Sequence, residues 1–274
     1  MSLPQLEKAQ CFRALHDGTG AFLMPNPWDA GSSRILAGLG FKAFATSSAA
    51  CAVVLGRRDG NVTRDEALTH CGQIVAATDL PVSADLEKGF GDSLEDVAET
   101  IRRAAAVGLV GGSIEDATGD GTRPIFDLGQ AVERVSAAVE AACSLSFPFT
   151  LTARCENFIR GNPNLDDTIR RLQAYEQAGA DVLFAPGLPD LAAVSAVCSA
   201  LSKPVNFMAG IRGKSFTVEQ LAAVGVRRIS VGPSLFRAAL TGLLDAAREI
   251  SEQGTFGYVD RTLTSAEVYP LIGR

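Results

Sequence analysis

Residues 81–91 read PVSADLEKGFG, an apolar run that ends in two acidic residues and a glycine-rich turn. In a β-strand, residues i and i+2 point to the same side, so we expect Asp85 and Glu87 to converge where a strand ends. Two carboxylates held that close repel each other unless a proton or a cation lies between them. Oxygen ligands of this kind suit Mg2+, which takes one or two protein carboxylates and keeps several waters. The open alternative is a helix N-terminus that carries acidic residues.

The same pattern recurs along the chain: a short apolar run is followed by a turn and then by an amphipathic segment. It predicts strands at 21–24, 43–47, 82–85, 112–115, 150–154, 182–185, 205–208 and 228–231. Eight strands that alternate with helices favour an α/β fold, a parallel sheet closed into a (β/α)8 TIM barrel. A doubly wound open sheet is the alternative, but no G-x-G-x-x-G motif follows the first strand.

Glycines punctuate the predicted helices and no linker divides the chain. Gly108, Gly179 and Gly225 each stand just before a strand, where a helix-terminating glycine is expected. We therefore predict that residues 1–274 form one barrel domain. Residues 237–274 are predicted to be a helical tail segment for oligomerisation. Because its aromatic side chains have no strand to join, we expect it to pack on a neighbouring subunit or on its own barrel.

Composition excludes several classes of function. The chain has 274 residues, of which 47% are hydrophobic and 20% charged, as in ordinary soluble globular proteins. Its net charge of −6 argues against nucleic acid or an anionic membrane as a partner. The six cysteines form no C-x-x-C pair and have no metal-ligand spacing, which favours free thiols in the reducing cytoplasm. No signal sequence or membrane-spanning run is expected. A small-molecule acid is the expected partner.

Polar residues collect at the predicted carboxyl ends of the strands, where (β/α)8 barrels carry their chemistry. Three neighbouring strands supply carboxylates, and a guanidinium and several small hydroxyl residues lie beside them. The candidate site residues are Trp28, Ser47, Ser48, Ala49, Asp59, Asp85, Glu87, Glu115, Arg154 and Asn206. This set suits a Mg2+ chelate of a small 2-oxo acid, with Arg154 and the amides of residues 47–49 at the anionic end. A metal there stabilises an enolate that forms at the keto oxygen.

Each of these residues also has a plainer interpretation. Asp59 could belong to a turn, Glu115 and Asp116 could cap the next helix, and Trp28 could be an ordinary core residue. The plainer interpretations require all of these residues to fall at one end of one barrel by coincidence.

Several segments resemble the isocitrate lyase/phosphoenolpyruvate mutase superfamily, in the right order and from residue 25 to about residue 240. These segments are PNPWDAGS at 25–32, GFKAFATSS at 40–48, PVSADLEKG at 81–89, IED at 114–116, TARCE at 152–156 and VGPSLFRAA at 231–239. The resemblance implies a (β/α)8 barrel whose last helix is exchanged between subunits, in a homotetramer that is a dimer of dimers.

The resemblance also implies Mg2+, with Mn2+ as a substitute, and a pyruvate-like 2-oxo acid as the ligand. It assigns direct metal binding to Asp85 and largely water-mediated binding to Asp59, Glu87 and Glu115. It assigns ligand binding to Trp28, Ser47, Ser48 and Arg154. Together with the strand-end pattern, this makes Arg154, Asp59 and Glu115 the predicted catalytic residues.

The departures from the superfamily pattern narrow the expected reaction. Its lyases carry K-K-C-G-[HR] on a loop whose cysteine protonates the departing enolate, whereas residues 117–126 read ATGDGTRPIF here. The lysine and asparagine of the mutases are absent from this loop as well. Glu87 stands where aspartate is usual, and Cys155 where threonine is usual.

We therefore expect a Mg2+-dependent enzyme that acts on a small 2-oxo or 2-hydroxy acid of the oxaloacetate, 2-oxoglutarate or substituted malate class. The expected reaction is carbon–carbon cleavage or decarboxylation through a metal-stabilised enolate. Two alternatives are a non-catalytic 2-oxo acid binding protein and an enzyme of P–C bonds, a phosphonomutase or a phosphonopyruvate hydrolase.

Overall fold

Eight parallel strands form a barrel in the computed structural model, which describes residues 3–214 and 216–272. The strands are β1 (Phe22–Met24), β2 (Phe44–Ala45), β3 (Val82–Asp85), β4 (Gly111–Glu115), β5 (Thr150–Arg154), β6 (Val182–Phe184), β7 (Val205–Met208) and β8 (Arg228–Ser230). They pair in the order β1-β8-β7-β6-β5-β4-β3-β2. The Ala45 N–H donates to the Pro25 carbonyl at 3.1 Å and links β2 to the end of β1. The predicted (β/α)8 fold is confirmed.

Helices alternate with the strands along the chain. They are α1 (Gln5–Asp17), α2 (Ala30–Gly38), α3 (Ser48–Val54), α4 (Arg64–Ala76), α5 (Leu94–Ala106), α6 (Leu128–Cys143), α7 (Leu165–Gln177), α8 (Leu191–Ser199), α9 (Val218–Ala223), α10 (Ser234–Arg248) and α11 (Ser265–Ile272). In the described part of the chain, none of them is long and apolar enough to span a bilayer. Gly108 follows Val107, the C-cap residue of α5, and has a φ of +94°, the left-handed conformation expected of a terminating glycine.

The second strand is shorter than predicted, because the chain turns into a helix sooner. Strand β2 ends at Ala45, and the Ser47 hydroxyl accepts the Ala50 N–H at 3.4 Å as the N-cap of α3. This early helix start brings Ser48 and Ala49 to the mouth of the barrel.

The apolar core lies mainly between the sheet and the helices, and the upper interior of the barrel is polar. Large residues such as Ile101, Leu151 and Leu183 are buried in the outer layer. Side chains that line the interior cavity include Ser83, Ser113, Asn206 and Ser230. Barrel interiors of this fold are usually filled by bulky branched residues, so the small polar side chains leave room for a ligand.

The C-terminal segment forms two helices. Helix α10 starts at Ser234 and leads into a π-helical turn at Glu249–Gln253. Helix α11 packs on α2 so closely that a Cβ on Gly38 would lie 2.8 Å from the Leu271 carbonyl oxygen. The domain and tail bounds 1–274 and 237–274 stay predictions, and they include residues 1, 2, 215, 273 and 274, which lie outside the described ranges.

His16 is a buried neutral group whose effect on stability is measurable. It lies between the rings of Phe12 and Phe22, and its Nδ1–H donates to the Phe12 carbonyl at 2.8 Å. Burial, followed by the charge of Arg228, lowers the pKa of His16 to about 3. Below pH 6.5, His16 binds a proton in the unfolded chain but stays neutral in the folded chain. His16 therefore lowers the free energy of unfolding as the pH falls towards 3.

We expect His16→Gln to be less sensitive to acid than the wild type. Between pH 7.5 and pH 5, the wild type should lose about 2 kcal/mol more unfolding free energy than the variant. Urea unfolding of both proteins at the two pH values measures the difference. Equal losses in the two proteins would contradict a neutral His16.

Candidate active site

A cavity of about 200 Å³, here called the inner cavity, opens at the carboxyl ends of the strands. Of the predicted site residues, it is lined by Ser47, Ser48, Ala49, Asp59, Asp85, Arg154 and Asn206. A second space of about 320 Å³, the outer cavity, shares Ser48, Asp59 and Arg154 with it. Glu87 and Glu115 line the outer cavity. The structure thus brings together every predicted site residue except Trp28.

Asp85 ends β3 and is held by residues that follow β2 and by Arg154 at the end of β5. Its Oδ2 accepts the Ser48 N–H at 3.3 Å and lies 3.4 Å from Nη1 of Arg154. Its own N–H donates to the Thr46 hydroxyl at 3.1 Å. These contacts fix one half-buried carboxylate on the wall of the inner cavity.

Glu87 lies at the site, but in a turn after β3 and not on the strand where alternation had predicted it. Strand β3 stops at Asp85, and Glu87 has a φ of +48°, a left-handed conformation that is uncommon for residues other than glycine. The Glu87 N–H donates to Oδ1 of Asp85 at 3.3 Å, and its carbonyl accepts the Glu115 N–H at 3.0 Å. The turn therefore places Glu87 in the outer cavity, beside Glu115.

Arg154 is the central cation of the site. Its Nη1 lies 3.4 Å from both Asp85 and Glu115, and its Nε donates to Glu156. Arg160 also contacts Glu115 at 3.5 Å and Glu156 at 3.3 Å. The sequence interpretation missed Glu156 and Arg160 as site residues. The signal for Glu156 was present, since TARCE puts an acid two residues after the arginine.

Asp116 holds the ends of β4 and β5 together. It accepts the Glu156 N–H at 2.8 Å and the Tyr175 hydroxyl at 2.7 Å, and it pairs with Arg171 at 3.3 Å. Helix α6 has Asp127 as its N-cap residue, so Glu115 and Asp116 do not cap it. Asp116 is a buried structural residue, whereas Glu115 lines the outer cavity.

The acids at the barrel mouth are only partly neutralised. Within the described ranges, Asp59 and Glu87 have no Lys, Arg or His nitrogen within 4.0 Å. Burial, followed by the charges of Asp85 and Asp59, raises the pKa of Glu87 to about 7. Loss of water in the mouth, followed by the Asp85 charge, raises the pKa of Asp59 although one side of it remains exposed. Burial also raises the pKa of Glu115 well above its usual value.

This electrostatic imbalance, and a donor set made of oxygens, fits a hard divalent cation. Among residues 3–214 and 216–272, no three Asp, Glu, His or Cys side chains are grouped so that they alone could hold a metal. Mg2+ needs no such cage, since it binds one or two carboxylates and keeps several waters. Asp85 with neighbouring acids at longer range satisfies that requirement.

Trp28 lies outside both cavities. Its ring packs on Phe236 of α10 with 5.5 Å between ring centroids, and it lines a surface groove together with Leu235. Its carbonyl accepts a hydrogen bond from Nε2 of His70 at 2.7 Å. The predicted ligand-binding role thus gains no geometric support, because the bulky ring is used in packing.

The loop after β4 contributes small residues to the site. Ala117 pairs with Ile125 in an antiparallel bridge, and the Thr118 N–H donates to the Pro124 carbonyl at 3.0 Å. Ala117 and Gly119 line the outer cavity, whereas Arg123 is exposed. The described loop therefore brings no proton-donating side chain to the wall of either cavity.

Comparisons with known proteins agree with this architecture. A family model described as phosphoenolpyruvate phosphomutase matches residues 12–251. The oxaloacetate decarboxylase of Bradyrhizobium diazoefficiens is 30% identical over 247 residues, which are 88% of this chain and 84% of that protein. A crystal structure from Burkholderia cenocepacia J2315, provisionally called a lyase/mutase, is 53% identical with a TM-score of 0.95 and covers 96% of this chain and 95% of its own.

A more distant structure shares the fold. Phosphonopyruvate hydrolase, in complex with oxalate and Mg2+, is 22% identical with a TM-score of 0.85 and covers 99% of this chain and 95% of its own. On the match to the family model and on the curated relative, the chain belongs to the phosphoenolpyruvate mutase family and is an enzyme of the isocitrate lyase/phosphoenolpyruvate mutase superfamily that its motifs resemble.

Proposed function

We propose that this enzyme is a divalent-metal-dependent carbon–carbon lyase that acts on a small 2-oxo or 2-hydroxy acid. Oxaloacetate, 2-oxoglutarate and substituted malates are the substrate class, and carbon–carbon cleavage or decarboxylation is the reaction. The observation that carries the proposal is the inner cavity, where Asp85 contacts the fixed guanidinium of Arg154 and where Asp59, which has no ion-pair partner among the described residues, is also part of the wall. The similarity to an oxaloacetate decarboxylase supports it.

The proposed metal is Mg2+, with Mn2+ as the substitute. Asp85 would bind it directly, and Asp59, Glu87 and Glu115 would bind it through water. When bound, the cation neutralises the charge that develops on the ligand's keto oxygen as the carbon–carbon bond breaks. A more distant protein of the same fold forms a complex with oxalate and Mg2+, which supports a divalent metal as the cofactor.

The chain's own groups orient the ligand. Arg154 is held from several sides by carboxylates, so its guanidinium is positioned for an anionic group before the ligand arrives. Ser47, Ser48 and Ala49 line the same cavity and add hydroxyl and amide groups to its wall. Asp59 lines both cavities, which places a carboxylate where it can exchange a proton with a ligand in either one.

Part of the inner-cavity wall is apolar. Ile159, Phe184 and Met208 line it, and Arg154 stacks over the Phe184 ring at 5.2 Å from its centroid. Apolar walls around charged groups strengthen the electrostatic contacts between them and the ligand.

One observation favours a second candidate, P–C bond chemistry. Lys88 and Arg160 line the outer cavity beside Arg154, and cations in this position suit the charged oxygens of a phosphonate. Release of phosphate or of phosphoenolpyruvate from phosphonopyruvate would identify this reaction, whereas loss of a 2-oxo or 2-hydroxy acid would identify the lyase.

The first test replaces the central carboxylate. Asp85→Asn should abolish the calorimetric signal for Mg2+ and oxalate and should lower turnover of oxaloacetate at least about 100-fold, because the direct anionic ligand is lost. Asp92→Asn is the matched control, since Asp92 lies exposed on the same loop and pairs with Lys88. An Asp85→Asn protein with unchanged turnover would contradict the proposal.

We also propose that α10 is exchanged between subunits in a homotetramer, a dimer of dimers. Within one chain, α10 buries only Phe236, and Leu243 and Leu244 are 64% and 51% exposed. Apolar side chains exposed in this way along one helix favour cover by another copy of the chain. The six free thiols support a cytoplasmic location.

This assembly predicts a clear effect of charge on α10. Leu244→Asp should shift the protein towards smaller species in light scattering coupled to size-exclusion chromatography, since a buried carboxylate without a partner is costly. Ala238→Asp is the control, because residue 238 is exposed on the other side of α10. A wild-type protein that is monomeric at micromolar concentration would contradict the assembly.

A further inference from the structure

An arginine lies at the floor of the inner cavity. Arg228 is the first residue of β8, is only 3% exposed, and lines the cavity from within the barrel. Its neighbour Arg227 points the other way and donates to the Gly20 carbonyl on the outside. Because strand residues alternate, the pair Arg227-Arg228 sends one guanidinium outward and one into the barrel. The sequence interpretation did not single out Arg228.

The Arg228 guanidinium meets only neutral acceptors. Its Nε donates to Oδ1 of Asn206 at 2.9 Å and its Nη2 to the Thr152 hydroxyl at 3.0 Å, while Nη1 lies 3.4 Å from Nε2 of His16. A guanidinium has five N–H groups, so two remain. Among residues 3–214 and 216–272, these two have no acceptor, and no carboxylate lies within 4.0 Å of Arg228.

A buried guanidinium that contacts only neutral groups has a desolvation cost that is not offset unless an anion binds beside it. Burial lowers the pKa of Arg228 to about 9, which leaves it charged at neutral pH. The neutral neighbours hold the guanidinium in place but do not balance its charge. The cavity is the open side of this arrangement, and Asn206 and Ser230 line it next to Arg228.

We propose that Arg228 forms an anion subsite that binds the second carboxylate of a 2-oxo or 2-hydroxy dicarboxylate. The assignment rests on the proposed function, in which Arg154 holds the ligand's first anionic group at the rim, the ring of strand ends that carries Asp85 and Arg154. Rim and floor line one cavity of about 200 Å³, so a single ligand can reach both. Two free N–H groups on one guanidinium match the two oxygens of a carboxylate.

The subsite narrows the substrate class. It selects dicarboxylates over monocarboxylates such as pyruvate or lactate. A carboxylate paired with a guanidinium is stabilised in its charged form, so the subsite favours substrates that keep this group through the reaction. Decarboxylation of oxaloacetate would release that group as CO2 and break the ion pair, so among the proposed reactions the subsite favours carbon–carbon cleavage that leaves the carboxylate in a product.

The test compares two ligands that differ by one carboxylate. Calorimetric titrations with racemic malate and racemic lactate, in the presence of Mg2+, are run on the wild type and on Arg228→Met. The variant should bind malate on the order of 100-fold more weakly, and lactate within about twofold of the wild type. Arg228→Lys, which keeps the charge, should recover part of the preference for malate.

Arg227→Met is the matched control, since it removes the same charge from the neighbouring, outward-facing position. It should leave the ratio of malate to lactate affinity unchanged. If Arg228→Met weakens both ligands equally, or if the wild type does not prefer malate to lactate, the subsite is wrong. The wild-type comparison also decides the matter should Arg228→Met fail to fold.

Oxalate separates failure of the subsite from failure of the proposed function. Oxalate can chelate a metal at the rim and has no distal carboxylate to place at Arg228. Wild-type protein that binds oxalate with Mg2+ but shows no preference for malate would overturn the subsite alone. Wild-type protein that does not bind oxalate would overturn the metal-anchored function and the subsite with it.

Discussion

Repulsion among carboxylates at the carboxyl ends of the strands is the constraint on which the site depends. The charges of Asp85 and Asp59 add to the effect of burial in raising the pKa of Glu87, and the charge of Asp85 adds to the loss of water in raising the pKa of Asp59. Arg154 offsets part of this repulsion and is itself fixed by the buried Glu156. The negative charge that Arg154 leaves uncompensated is concentrated at the carboxyl ends of the strands, where a small divalent cation would neutralise it.

The barrel keeps these repelling carboxylates in place because its apolar packing and its polar lining lie on opposite faces of the sheet. Apolar side chains fill the layer between strands and helices, where they stabilise the fold. Small polar side chains such as Ser83 and Ser113 face inward and leave a cavity in place of a packed core. Asp116, Tyr175 and Arg171 tie the ends of β4 and β5 together below the rim. The rigid frame keeps the acids close despite their repulsion.

Much of the fold and of the rim could be predicted from sequence, because both follow from periodicity. Strand alternation and the carboxyl-end rule put Asp85, Glu115 and Arg154 together. The rest depended on tertiary contacts that no local pattern contains. Glu87 arrives through a left-handed turn, and Trp28 is diverted to packing on Phe236. The cation below the rim, Arg228, depends on which face of β8 points inward.

The most direct test of the account is the position of a bound metal. A crystal grown with Mn2+ and oxalate should show an anomalous peak about 2.0–2.3 Å from a carboxylate oxygen of Asp85, with Glu87 and Glu115 at longer range through water. Oxalate should lie between this peak and Arg154. A peak on other residues, or none beside Asp85 when oxalate is bound, would contradict the claim that the acids at this rim exist to hold a catalytic cation.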